Sequence, residues 1–175
     1  MAPKLPAGIV LRPSVINSDL WHPERPPRAE WDRIRKAVLE RDDHTCRFCG
    51  HRALKYMSVH HLEDSSDNAL GGLSTICVAC HAVLHIGLNL QHNVIEIWKS
   101  DIPQIDIVRR SREGIKNGLS LAQINKTFGL SKGPLPPDSL RYANDLINKM
   151  PNVPRAYLPL PLCAVFVDLS RWQLE

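Results

Sequence analysis

Cys46-Arg-Phe-Cys49, then His60-His61, then Cys77-Val-Ala-Cys80-His81-Ala-Val-Leu-His85: these three stretches decide how the chain folds. Each C-x-x-C pair sets two thiols within reach of one ion. The pairs stand 27 residues apart (50 to 76). Together they offer four thiolates, the set that Zn2+ takes at a closed tetrahedral site. In a reducing compartment this spacing signals metal ligation rather than disulfides. The fifth cysteine, Cys163, lies in an apolar stretch and reads as a small buried hydrophobe. A structural zinc contributes about 10–16 kcal/mol at neutral pH, enough to dominate the stability of a small motif.

The histidines carry the second signal. Residues 78–86 read as a short helix, on which His81 and His85, four apart, share a face. Residues 54–62 read as a strand that ends in His60-His61. Neighbours on a strand face opposite sides, so both histidines reach one site only if the strand ends or bulges there. Between these elements lie a polar loop, 63–72, and a short strand, 73–76. Gly50, directly after the second cysteine, suits a knuckle turn.

Outside the motif the chain is ordinary in bulk. Its 175 residues suffice for one compact domain with appendages, and 43% hydrophobic content is typical of globular proteins. The longest apolar run, Leu162 to Val167, is too short to span a bilayer. No apolar leader is visible, so the expectation is a cytoplasmic protein with no membrane insertion. A net charge of +4 permits nucleic-acid contact without requiring it.

Residues 1–28 hold prolines at 3, 6, 13, 23, 26 and 27 and are expected to form an extended arm. A helix is predicted over 29–41 from Trp31, Ile34 and Val38, a strand over 94–98, and helices over 103–117, 120–128 and 139–149, the last capped by Asp138. Arg109, Arg110, Arg112 and Lys116 crowd the end of the 103–117 helix, where cations suit the helix dipole. Their default reading is a solvated face. Residues 120–131 read superficially as half of a helix-turn-helix, but Gly133-Pro134 and Pro136-Pro137 disfavour the second helix. Residues 162–169 read as a strand. The segments are thus a proline-rich arm (1–28), a zinc domain (29–100) and a helical, proline-rich extension (101–175).

The order Cys46-x-x-Cys49, His60-His61, Cys77-x-x-Cys80, His81 and His85 resembles the HNH (His-Me finger) nuclease family with a four-cysteine zinc knuckle. That resemblance implies an α+β fold: a zinc-stabilised ββα-metal finger with an extended N-terminal arm and a mostly helical C-terminal extension. It implies His61 as general base, His60 and His81 as ligands of a second divalent ion (Mg2+, Mn2+, Ni2+ or Zn2+), and His85 as a further ligand. DNA would be the partner, with Arg47, Arg52 and Lys55 candidates for holding its backbone. The chain departs from the pattern at Gly72, where the family carries an asparagine. Asn68 lies four residues earlier and substitutes only if the loop folds back. More narrowly, His61-Leu-Glu-Asp-Ser-Ser-Asp-Asn-Ala-Leu70 and Trp98-Lys-Ser-Asp-Ile-Pro-Gln-Ile-Asp-Ile107 look like stretches of IcmJ/DotN-type proteins of type IVB secretion and conjugation coupling complexes. That likeness implies a catalytically silent adaptor, docking a protein partner through its proline-rich termini. Two readings therefore stand: a metal-dependent DNA phosphodiesterase, and an adaptor.

Overall fold

A computed structural model describes residues 10–21, 26–62, 67–132 and 139–172. The predicted Asp138 cap falls outside them. Thirteen helices and strands follow one another among the described residues. They are β1 (Ser14–Ile16), α1 (Arg28–Arg41), β2 (Ser58–His61), β3 (Leu73–Ile76), α2 (Val78–Leu84), α3 (Ile86–Gln91), β4 (Ile95–Lys99), α4 (Gln104–Lys116), α5 (Leu121–Asn125), β5 (Ser131–Lys132), α6 (Ser139–Lys149), β6 (Arg155–Tyr157) and β7 (Leu162–Phe166). The result is a mixed α+β protein with three small antiparallel sheets.

The hairpin β2–β3 pairs Ser58 with Ile76 and His61 with Leu73. Its first strand is shorter than the sequence suggests: residues 54–56 bend instead, with Tyr56 at φ +60°. Helix α1 lies against this hairpin through Val38 and Leu39, both buried. Two polar ties fix the join. The Asp42 carboxylate, just past the helix end, accepts the Thr75 N–H at 2.8 Å, and Arg41 Nη2 donates to the Leu73 carbonyl at 2.7 Å. The knuckle turn 46–50 closes with Gly50 N–H on the Cys46 carbonyl at 2.9 Å. Gly50 takes φ +78°, a left-handed value that glycine adopts without a Cβ clash.

The sequence does not reveal how the two ends of the chain are used. The proline-rich arm contributes a real strand: β1 pairs antiparallel with β6, with Val15 opposite Ala156. Leu11 and Val15 are buried in the core. A second sheet sets β4 between β5 and β7, with Ile95 opposite Phe166 and Lys99 opposite Leu162. Gln104 fastens α4 to β7: its side chain donates to the Ala164 carbonyl at 2.9 Å and accepts the Ala164 N–H at 2.7 Å. Segments 1–28, 29–100 and 101–175 all feed one hydrophobic cluster, which runs from Leu11 to Trp172. Cys163 is buried in it, as expected, and burial pushes its thiol up to about 11.

Candidate metal centres and the histidine cavity

The four thiols converge. The sulfurs of Cys46, Cys49, Cys77 and Cys80 all lie within 4.8 Å of one another, and Cys49 Sγ sits 3.6 Å from Cys77 Sγ. Ligands about 2.3 Å from a tetrahedral zinc would be separated by about 3.8 Å; a disulfide would need about 2.0 Å. Two turns bring them together: the knuckle at 46–50, and the start of α2, where Cys77 Sγ accepts the Cys80 N–H at 3.4 Å. Thiols this close compete for protons. Contacts with Cys49 hold Cys46 well below the ordinary thiol range, whereas burial pushes Cys80 up. A divalent cation removes that competition by stabilising every thiolate at once. The cluster can hold a structural metal ion, and zinc suits its donor set best.

Arg112 was expected on a solvated helix face. It is buried instead, with 8% exposure. Its Nη2 donates to Cys77 Sγ at 3.4 Å, and its guanidinium lies 5.1 Å from the centre of the Trp172 ring. A zinc ion bound by four thiolates carries a net negative charge, and a buried cation beside one sulfur offsets part of it. Arg109 Nε also reaches the knuckle, donating to the Cys49 carbonyl at 3.3 Å. Helix α4 therefore braces the zinc cluster.

A second group gathers around the same helix, α2. Ring nitrogens of His60, His81 and His85 fall within 4.8 Å of one another. The ring centres of His81 and His85 are 4.5 Å apart, and each lies 5.3–5.5 Å from His60. The helix predicted over 78–86 stops at Leu84: His81 lies on α2, and His85 caps its end with its N–H on the His81 carbonyl at 3.1 Å, so the two rings meet although they do not share a helix face. Burial lowers all three pKa values, to about 2 for His60, about 4 for His81 and about 3 for His85. These imidazoles are therefore neutral at physiological pH, the form that binds metal. Arg155, 6% exposed, adds to the effect. It donates to the Ser14 hydroxyl at 2.7 Å and to the Leu84 carbonyl at the end of α2. His85 Nε2 is buried without a hydrogen-bond partner among the described residues. That orphaned nitrogen fits coordination, so the trio could hold a divalent ion.

His61 stands apart from the trio yet lines the same cavity, of about 960 Å3. Strand β2 ends at His61, so two adjacent histidines reach one space. His61 Nε2 lies 3.1 Å from Asn68 Oδ1. Asn68 thus stands within bonding distance of His61, where Gly72 has no side chain to offer. A His61 tautomer protonated at Nε2 would donate to Oδ1 and leave Nδ1 with the lone pair. Trp31 stacks on the His61 ring at 6.4 Å and 13°, and Trp21 meets it edge-on at 6.0 Å.

The basic residues expected on the backbone of DNA lie elsewhere. Arg52 pairs with Asp43 at 2.9 Å, Arg47 Nη1 donates to Ser74 Oγ at 3.4 Å, and Lys55 is exposed. None of the three lines the cavity; the cation that does is Arg171, which no motif in the sequence flags. No helix of the described residues is long and apolar enough to cross a membrane. A scan against protein-family models and a search of curated proteins each return no match.

Proposed function

We propose that this protein is a metal-dependent phosphodiesterase of the HNH type that acts on DNA. One observation supports the reading above the rest: His61, bonded to Asn68, lines the same cavity as the trio His60, His81 and His85. A divalent ion held by the trio would polarise the scissile phosphate and offset charge on the leaving 3′ oxygen. His61 acts as general base. Its Nε2–H is committed to Asn68, so Nδ1 takes the proton from the attacking water. Asn68 fixes the tautomer and the ring plane, while Trp31 and Trp21 hold the imidazole between them. The four-cysteine cluster, with zinc, would fix the start of α2, the helix that carries His81.

A second reading, a catalytically silent zinc adaptor of a secretion or conjugation complex that binds a protein partner, draws support from the same tryptophans. Trp21 and Trp31 line the cavity beside His61, and such aromatic rings could equally receive an apolar side chain of a protein partner.

Plasmid nicking separates the two. Supercoiled DNA is incubated with the protein and Mg2+, Mn2+, Ni2+ or Zn2+, beside a His61→Ala control. The nuclease reading expects nicking with at least one metal and its loss in the control. No nicking with any metal, together with co-purification of a larger protein partner, supports the adaptor.

A further inference from the structure

The histidine cavity contains a cation that takes part in no ion pair among the described residues. Arg171 lies in the short helical turn Leu169–Arg171, after β7, and lines the cavity with His60, His61, His81 and His85. Its Nε donates to Asn89 Oδ1 at 2.9 Å. Asn89 is 3% exposed, and its amide has one possible orientation. Its Nδ2 donates to the His85 carbonyl at 2.8 Å and the Ala82 carbonyl at 3.4 Å, so Oδ1 must be the acceptor. The guanidinium is thereby pinned through Nε to α3, the helix that directly follows His85. The donors on its two Nη atoms bond to no described residue. The nearest acid in sequence, Asp168, feels the charge of Arg171, but its carboxylate accepts the Ser170 N–H at 2.8 Å.

A guanidinium fork held by one edge, lining a cavity with imidazoles and ion-paired to no carboxylate among the described residues, is built to receive an oxyanion. The cavity offers a second donor. Trp21 lines the same cavity, with its ring 6.3 Å from that of His85. Its Nε1–H is buried without an acceptor among the described residues. A buried donor left unpaired costs about 1–3 kcal/mol, which a bound anion would recover.

We propose that Arg171 is the phosphate-binding residue of the histidine cavity, with Asn89 as its positioning residue and a phosphodiester oxygen as its ligand. The choice of a diester rests on the nuclease reading; the oxyanion site itself does not. Arg171 binds the phosphate, while His61 serves the attacking water.

The test uses the zinc-loaded full chain and two probes, inorganic phosphate followed by titration calorimetry and supercoiled plasmid followed by nicking. Arg171→Gln is expected to weaken phosphate binding about tenfold or more, the worth of a charge-assisted hydrogen bond. It is also expected to raise KM for plasmid more than it lowers kcat. Arg171→Lys recovers part of both, and zinc content and melting temperature match wild type in both variants. Phosphate binding by wild type that Arg171→Gln leaves intact overturns the proposal, as does wild type binding no phosphate at millimolar concentration. If nicking persists in either of those cases, the nuclease reading stands alone. Phosphate held through Arg171 by a protein that nicks nothing leaves the oxyanion site standing and removes the nuclease.

Discussion

At the scale of single residues, Asn68 and Gly72 exchange roles. A side chain at Gly72 would meet open space, with no atom within 4 Å of an added Cβ. Gly72→Asn should therefore change stability by less than about 0.5 kcal/mol, read as an unshifted denaturant midpoint. It should not raise nicking, because His61 already has its partner. Asn68→Ala removes that partner and frees the tautomer, and is expected to lower kcat about ten- to a hundredfold while zinc content stays constant. Equal nicking by Asn68→Ala and wild type would sink the role given to Asn68. Asp42 is the comparable residue on the structural side. Burial alone would raise its pKa, but the bonds from Arg41 and Thr75 outweigh burial and hold it below its ordinary 3.8. A depressed carboxylate stabilises the fold above its unfolded pKa, and that contribution fades as pH falls through the folded value. Asp42→Asn should cost about 1–3 kcal/mol at pH 7. The gap between mutant and wild type should narrow in denaturant titrations run below pH 3.8.

Among the elements, helices α4 and α5 depend on a missing side chain. An added Cβ at Gly114 would come within 2.5 Å of Ile124 Cγ1. Both residues are buried, so neither helix can give way cheaply. Gly114→Ala is expected to destabilise by about 1–3 kcal/mol, despite the better helix propensity of alanine, and thermal melting would show it. Elements with a clear period were legible in the sequence. Strand β3 at 73–76 and helix α6 at 139–149 appear where the pattern puts them, and α4 differs by one residue at each end. Strands β1 and β6 were hidden because three residues are too few to show alternation, and prolines surround both. The break at His85, where φ −129° and ψ 56° separate α2 from α3, leaves no mark on the apolar pattern.

On the scale of the whole molecule, local spacing made the ligands readable and long-range packing kept their supports hidden. The C-x-x-C pairs and the His81–His85 interval are visible because each lies within one turn. Arg112, Asn89, Arg155 and Arg171 could not be found that way. Each reaches its partner through strand pairing or helix docking that no short window contains, as with Arg112 on Cys77 or Arg155 on Ser14. The four-cysteine cluster lies within the same core as the rest of the chain, so losing the metal should not stay local. Extracting zinc with a strong chelator, or replacing Cys77 with alanine, is expected to remove the cooperative unfolding transition in calorimetry. A soluble Cys77→Ala protein that melts as wild type does would refute the zinc assignment.

The pairing of Ser14 with Arg155 at the end of the histidine helix also sets a timetable. During synthesis the cysteine knuckle can close once Cys80 has left the ribosome, and its metal can then bind. The strand that flanks α2 must wait for a partner about 140 positions later in the chain, and the cavity waits longer still for Arg171. Contacts between such distant positions form late because loop closure must precede them. A nascent chain could thus hold its structural metal ion well before its cavity could hold an anion.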